Sequence, residues 1–163
     1  MSHNLSLCQI LVKKAVDAGA KVLPTPPSRS PALSHNIKAL FLPEATDYIA
    51  SSPTESVSLA RSMDTSPFVL GLQKAAKESS IAINVGIHVP AANGKIGNRS
   101  CWINEKGDIE AVYDKLHLFD YGALRESNSV EAGKKIVPPV ETVVGRVGLT
   151  ICFDVCFDIF QSN

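Results

Sequence analysis

The chain has 163 residues, of which 45% are hydrophobic and 20% charged, a composition typical of one globular domain rather than of a disordered chain. Its formal net charge of +0 argues against a nucleic-acid or anionic-membrane partner held by electrostatics. MSHNLSLCQI does not resemble a signal peptide, and no apolar run approaches the ~20 residues of a membrane span. We therefore expect a cytoplasmic protein, with a mitochondrial location as the alternative.

The cysteine spacing predicts reduced thiols rather than a disulfide framework or a metal site. The four cysteines are Cys8, Cys101, Cys152 and Cys156. No pair has C-x-x-C spacing, and no second close pair of ligands accompanies the last two cysteines. We expect no metal and no cofactor. In a cytosolic protein, the glycosylation sequons at Asn4 and Asn98 would stay unused.

The first predicted element is a helix over residues 5–18. Its apolar face is predicted to consist of Leu7, Ile10, Leu11 and Val16. A short strand is predicted at 21–23, and the strand pattern resumes at 39–43. Between them, residues 24–38 (PTPPSRSPALSHNIK) are too rich in proline to continue a central strand, so we interpret them as an insertion.

The remaining elements alternate between helix and strand signals. Ser66 and Pro67 cap a helix predicted over 65–79, and residues 80–90 follow as a β-branched strand. Residues 98–115 predict a hairpin around a Glu-Lys-Gly-Asp turn, and 120–135 predict a loop. VGLTI, at 147–151, predicts a buried strand. This mixture predicts a layered α/β fold.

Three polar residues follow apolar, strand-like runs: Glu44, Lys115 and Cys152. Strand ends are where layered α/β folds build their sites. A carboxylate can accept the thiol proton, the thiolate can attack an acyl carbon, and an ammonium can stabilise the resulting oxyanion. Each residue also has an ordinary structural interpretation as a core thiol, a loop glutamate or a surface lysine. Spacing alone does not separate these interpretations.

The sequences around the three residues do distinguish the catalytic interpretation from the structural ones. FLPEATDY (41–48), YDKLHLFD (113–120) and GLTICFD (148–154) resemble, in this order, the three catalytic motifs of the nitrilase superfamily of carbon–nitrogen hydrolases. The resemblance is best to the branch of deaminated-glutathione amidases and omega-amidases. It implies that Glu44 is the general base, that Lys115 stabilises the tetrahedral intermediate, and that Cys152 is the nucleophile that forms a thioester. LRES makes Glu126 the second buried glutamate of the family.

Three other side chains have weaker interpretations. His117, near the motif lysine, is either a substrate contact or a structural hydrogen-bonding residue. His88 is expected in the core or on the surface, and Trp102 is expected in the core. The family resemblance implies a small-molecule amide as substrate, a carboxylic acid and ammonia as products, and homo-oligomeric relatives.

The resemblance also implies a partial domain. Residues 1–163 would form one carbon–nitrogen hydrolase domain, the N-terminal half of an α-β-β-α sandwich, with the first strand and the C-terminal half missing. Cys156 and Asp158 stand where arginine and proline are common in the family. We therefore expect an open apolar sheet face that favours association or aggregation. The alternatives are a catalytically inactive fragment or interaction protein, and a redox or metal-binding module.

Overall fold

A computed structural model describes residues 1–17 and 38–157 of the chain. The strand predicted at 21–23 lies outside these residues, as does the predicted insertion at 24–38 apart from Lys38. No helix in the described part is long and apolar enough to cross a membrane.

Helix α1 spans Ser2–Asp17, so the predicted helix is confirmed, but its predicted buried face is wrong. The buried residues are Cys8, Val12 and Ala15. The residues predicted to be buried are exposed: Leu7, Ile10, Leu11 and Val16. The buried side chains are on average smaller than the exposed ones, which suits a close approach between helices. The approach is close at Gly71, where any side chain would collide with the Leu5 side chain of α1.

Two further helices begin with the same capping arrangement. In α2, Pro53–Leu59, the Ser52 side chain accepts a hydrogen bond from the backbone N–H of Glu55. In α3, Pro67–Ser79, the predicted Ser66 cap is confirmed, since its side chain accepts from the Val69 N–H. We did not predict α2, although Ser52-Pro53 carries the same signal as Ser66-Pro67.

Four strands form the main sheet, in the order β1-β2-β3-β4. They are β1 (Ala39–Phe41), β2 (Ala82–Pro90), β3 (Ile96–Ile103) and β4 (Ile109–Asp114). β1 runs parallel to β2, whereas β3 is antiparallel to both of its neighbours, β2 and β4. The predicted strands at 39–43 and 80–90 and the predicted hairpin are confirmed. The α/β prediction is confirmed as well.

The segment after β4 differs from the prediction in two places. Residues 120–135 contain a small hairpin of β5 (Asp120–Tyr121) and β6 (Leu124–Arg125) within the predicted loop. A second hairpin joins β7 (Val140–Thr142) to β8 (Gly145–Val147). Residues 148–151 of the predicted VGLTI strand join no ladder within the described residues, and Leu149 and Ile151 instead pack through their side chains against Tyr113.

The two faces of the sheet are covered differently. On one face, apolar side chains of β2 and β3 pack against α1 and α3, and these include Ile83, Val85, Ile87, Cys101 and Ile103. On the other face, Leu149 and Ile151 bury Tyr113, and Trp102 is buried as predicted. Phe41, which packs against Trp102 on that face, is 57% exposed. The expected open apolar face is thus found at Phe41 but not at Tyr113.

Candidate active site

The sheet topology explains why residues far apart in sequence meet. Because β4 is antiparallel to β3, and β3 to β2, β4 runs in the same direction as β1. The C-terminal ends of β1 and β4 therefore lie at the same edge of the sheet. Glu44 follows β1 and Lys115 follows β4, so both predicted catalytic residues reach this edge.

Lys115 is buried, and two carboxylates face its ammonium group. Its Nζ donates to Glu126 Oε1 and Oε2, at 3.1 and 2.8 Å. Glu44 Oε2 lies 3.8 Å from the same nitrogen. A buried ammonium group needs such partners, because desolvation would otherwise favour its neutral form. The predicted residues Glu44, Lys115 and Glu126 thus form one charged cluster.

Cys152 opens a 3-10 turn, Cys152–Cys156, with a backbone φ of 48°. This left-handed conformation is uncommon outside glycine and often marks a functional turn. Desolvation raises the pKa of the Cys152 thiol, the negative charge of Glu44 raises it further, and Lys115 partly opposes the shift. The thiol therefore keeps its proton near neutral pH and needs a base, a role that the Glu44 carboxylate beside it can fill.

One cavity brings the predicted nucleophile, base and lysine together. Its volume is about 380 Å³, which suits a small ligand. Its lining residues are Glu44, Lys115, Phe119, Leu124, Arg125, Glu126 and Cys152. Leu124 and Arg125 come from the segment that we predicted as a plain loop, and Phe119 comes from the second motif. No group of three or more metal-ligating side chains occurs among residues 1–17 and 38–157.

Asp154 is a site residue that we did not predict. It is 1% exposed, and its carboxylate accepts hydrogen bonds from the backbone N–H of Ile151 at 3.1 Å, from the backbone N–H of His117 at 2.9 Å and from the Tyr113 hydroxyl at 2.8 Å. Burial, followed by the bond to Asp154, raises the pKa of Tyr113. Asp154 thereby ties the Cys152 turn to the segment that carries Lys115. Its position inside the third motif was the available signal.

His117 packs against the Cys152 turn and does not line the cavity. Its Nδ1 lies 2.9 Å from Asp154 Oδ1, and its ring stacks on Phe157 with 3.9 Å between centroids. Of its two predicted roles, the geometry favours the structural one over substrate contact. His88 has a similar arrangement elsewhere, with Nδ1 3.0 Å from Asp47 Oδ1 and its ring packed on Tyr48.

Asn98 is a second residue that we did not predict, because its sequon was the only feature considered. It lies on β3 and contacts both Glu44 and Glu126. Alternate residues of a strand share a face, and in β3 the polar Asn98 and Ser100 share theirs with the apolar Ile96 and Trp102. The available signal in the sequence was an amide side chain on the same face of β3 as these apolar residues.

Comparisons with known proteins identify the family. Residues 1–160 match the family described as carbon–nitrogen hydrolase. The chain is 34% identical over 161 residues to Probable hydrolase nit2 of Schizosaccharomyces pombe, covering 94% of this chain and 52% of that protein. It is 38% identical over 166 residues to deaminated glutathione amidase of Mus musculus, covering 95% of this chain and 46% of the mouse protein.

Solved structures share the fold. The Caenorhabditis elegans NitFhit protein matches with a TM-score of 0.79 at 27% identity, covering 96% of this chain and 36% of that one. An amidase from Nesterenkonia sp. AN1, seen with acrylamide added to its active-site cysteine, matches with a TM-score of 0.73 at 19% identity, covering 96% of this chain and 53% of that one. The chain thus spans about half the length of the curated relatives reported above. It belongs to the carbon–nitrogen hydrolases of the nitrilase superfamily, in the branch of the deaminated-glutathione and omega-amidase-like proteins.

Proposed function

We propose that this site hydrolyses a small amide to a carboxylic acid and ammonia through a thioester on Cys152. The observation that supports it best is the convergence of Cys152, Glu44 and Lys115 on one cavity. The mouse relative is named as an amidase, and the Nesterenkonia amidase has an active-site cysteine that reacts with acrylamide. Both names refer to amidases, and the second also refers to an active-site cysteine.

In the first half of the reaction, Glu44 takes the proton of Cys152 as Sγ bonds to the amide carbon. The carbonyl electron pair moves onto oxygen, and the ammonium of Lys115 stabilises this oxyanion. The intermediate then collapses, and the C–N bond breaks. The nitrogen leaves with the proton held by Glu44, giving ammonia and a thioester.

In the second half, water attacks the thioester while Glu44 accepts one of the water protons. The new C–O bond forms, and the C–S bond then breaks. Glu44 returns its proton to the Cys152 sulfur, which restores the starting state. The sum of both halves is amide plus water giving acid plus ammonia.

Glu126 acts on Lys115 rather than on substrate in this scheme. Its two contacts with Nζ hold the ammonium in place while the oxyanion forms and collapses. A displaced lysine would bring its positive charge too far from the oxyanion to stabilise it.

Ammonia release from a panel of small amides, including deaminated glutathione, tests the proposal. Cys152→Ala is expected to lower turnover at least about a thousandfold, because a nucleophile cannot be replaced by binding alone. Cys156→Ala is the matched control, since Cys156 is an exposed thiol of the same turn that does not line the cavity, and it should keep its turnover. Equal turnover in wild type and Cys152→Ala, or none with any amide, would contradict the proposal.

A further inference from the structure

Asn98 occupies the centre of the charged cluster although no motif contains it. It is 5% exposed, and its Nδ2 donates to Glu44 Oε2 at 3.0 Å and, more weakly, to Glu126 Oε1 at 3.4 Å. Its backbone carbonyl accepts the N–H of Lys115 at 2.9 Å. One residue of β3 therefore contacts both carboxylates and the lysine of the site.

The orientation of the Asn98 amide follows from its neighbours. Ionised carboxylates only accept hydrogen bonds, so the amide has to present its NH₂ group to them. Its Oδ1 is then buried, with no hydrogen-bond partner among the residues that the structure describes. A buried oxygen without a donor opposes folding. The amide is therefore placed to serve the carboxylates and not to maximise stability.

We propose that Asn98 is a positioning residue that holds the Glu44 carboxylate against Cys152 and Lys115. The effect of Asn98 on catalysis rests on the proposed function, whereas its effect on the position of Glu44 can be measured without turnover. The Asn98 Nδ2 contact ties the Glu44 carboxylate to β3 at 3.0 Å, whereas Lys115 Nζ lies 3.8 Å from Glu44 Oε2. The Glu44 side chain is 37% exposed, so without Asn98 it is free to turn toward solvent.

The reactivity of the Cys152 thiol depends on the position of Glu44. The charged and titratable groups around the thiol are Glu44, Lys115, Arg125 and Glu126. His88 of β2, which pairs with Asp47, lies opposite Asn98 in the strand register. The negative charge of Glu44 contributes to the raised pKa of the thiol. If Glu44 moves away, the thiolate becomes more populated at neutral pH, and Cys152 reacts faster with an alkylating agent.

The test follows alkylation of Cys152 by iodoacetamide near pH 7, read by mass spectrometry, in the full chain. We expect Asn98→Leu to raise the rate about threefold, since a lower pKa increases the thiolate population more than it lowers the nucleophilicity of the thiolate. Glu44→Gln should give at least this increase. In the double variant Asn98→Leu/Glu44→Gln, the leucine should not raise the labelling rate further, because Glu44→Gln has already removed the charge that Asn98 positions.

Asn84→Leu is the matched control. Asn84 lies on the same face of the sheet, and its amide donates to Ser100 Oγ and to the Cys101 carbonyl instead of a carboxylate. This variant should label Cys152 at the wild-type rate. If an amide is turned over, Asn98→Leu should also lower kcat about tenfold or more with little change in KM. The labelling experiment tests the position of Glu44 whether or not the chain turns over an amide.

Stability measurements separate positioning from a purely structural role. We expect the Tm of Asn98→Leu to equal or exceed that of wild type, because the buried unpaired oxygen is removed. Asn98→Ser, with a shorter donor, gives a second variant if the leucine chain does not fold, and it should raise the labelling rate less. A wild-type labelling rate in the variant that folds, or an increase that persists fully in the Glu44→Gln background, overturns the proposal.

Discussion

At the scale of single residues, the four cysteines differ in the environments that the fold gives them. Burial raises the pKa of Cys8, and it raises that of Cys101 to about 12, so neither thiol is poised to react. Cys152 instead lies at an open cavity between a carboxylate and an ammonium. In the proposed mechanism, the raised pKa of Cys152 requires Glu44 to accept the thiol proton during attack, because little thiolate is preformed at neutral pH.

Opposite charges beside Cys152 should have opposite effects on its reactivity. Glu44→Gln removes a charge that raises the pKa of the thiol, so alkylation at neutral pH should become faster although turnover is lost. Lys115→Met removes a charge that lowers this pKa, so alkylation should become slower, again with turnover lost. Rates of iodoacetamide labelling at pH 7 measure both. A shift in the same direction in both variants would contradict this account of the site.

At the scale of elements, α1 shows what apolar spacing leaves open. The helix carries two apolar stripes, and the sequence offered no way to know that α3 would accept the one containing Cys8 and Ala15. The choice depends on how closely two helices approach, which is a property of both surfaces. By contrast, the start of α3 was predicted correctly, because the Ser66-Pro67 cap is a local signal.

Two valines of α1 test this packing directly. Val12 is 2% exposed and Val16 is 37% exposed. We expect Val12→Ala to lower the free energy of unfolding by about 1–3 kcal/mol, from lost burial and an unfilled cavity. Val16→Ala should change it by no more than about 0.5 kcal/mol. Urea denaturation measures both, and a larger loss at Val16 would show that the other stripe faces the core.

The Cys152 turn depends on a single buried carboxylate. Asp154→Asn keeps the shape of the side chain but turns an N–H₂ group toward groups that donate to it. We expect about 1–3 kcal/mol lower stability and a fall in turnover, because the turn is no longer tied to His117 and Tyr113. Asp64→Asn, at an exposed position, should change neither. Thermal melts and ammonia release read the two effects, and an unaffected Asp154→Asn chain would remove its assigned role.

At the scale of the whole molecule, the sequence predicted the components of the site better than their connections. Glu44, Lys115 and Cys152 were found because each stands in a recognisable motif. Asn98 and Asp154 were missed because their roles arise from strand register and from a turn closing over β4. Such contacts join residues that are distant along the chain, so the local signals at Asn98 and Asp154 mark the residues but do not show what they contact.

The exposed ring of Phe41 offers an apolar surface through which chains can associate. Its ring lies against Trp102 on the sheet face opposite the helices and remains 57% exposed. We expect the purified chain to sediment as oligomers or larger species, and Phe41→Ser to shift it toward monomer. Leu70→Ser, on the exposed side of α3, is the control and should leave the distribution unchanged. A compact wild-type monomer at tens of micromolar would contradict this expectation.

The thioester on Cys152 is the species on which the proposed chemistry depends. Acid quenching of the chain during reaction with an amide, followed by intact-mass and peptide analysis, measures it directly. The expected result is a mass increase equal to the acyl group, located on Cys152 and absent from Cys152→Ala. Ammonia release by the wild-type chain with no acyl group on Cys152 at any quench time, or with the group on another residue, would contradict it.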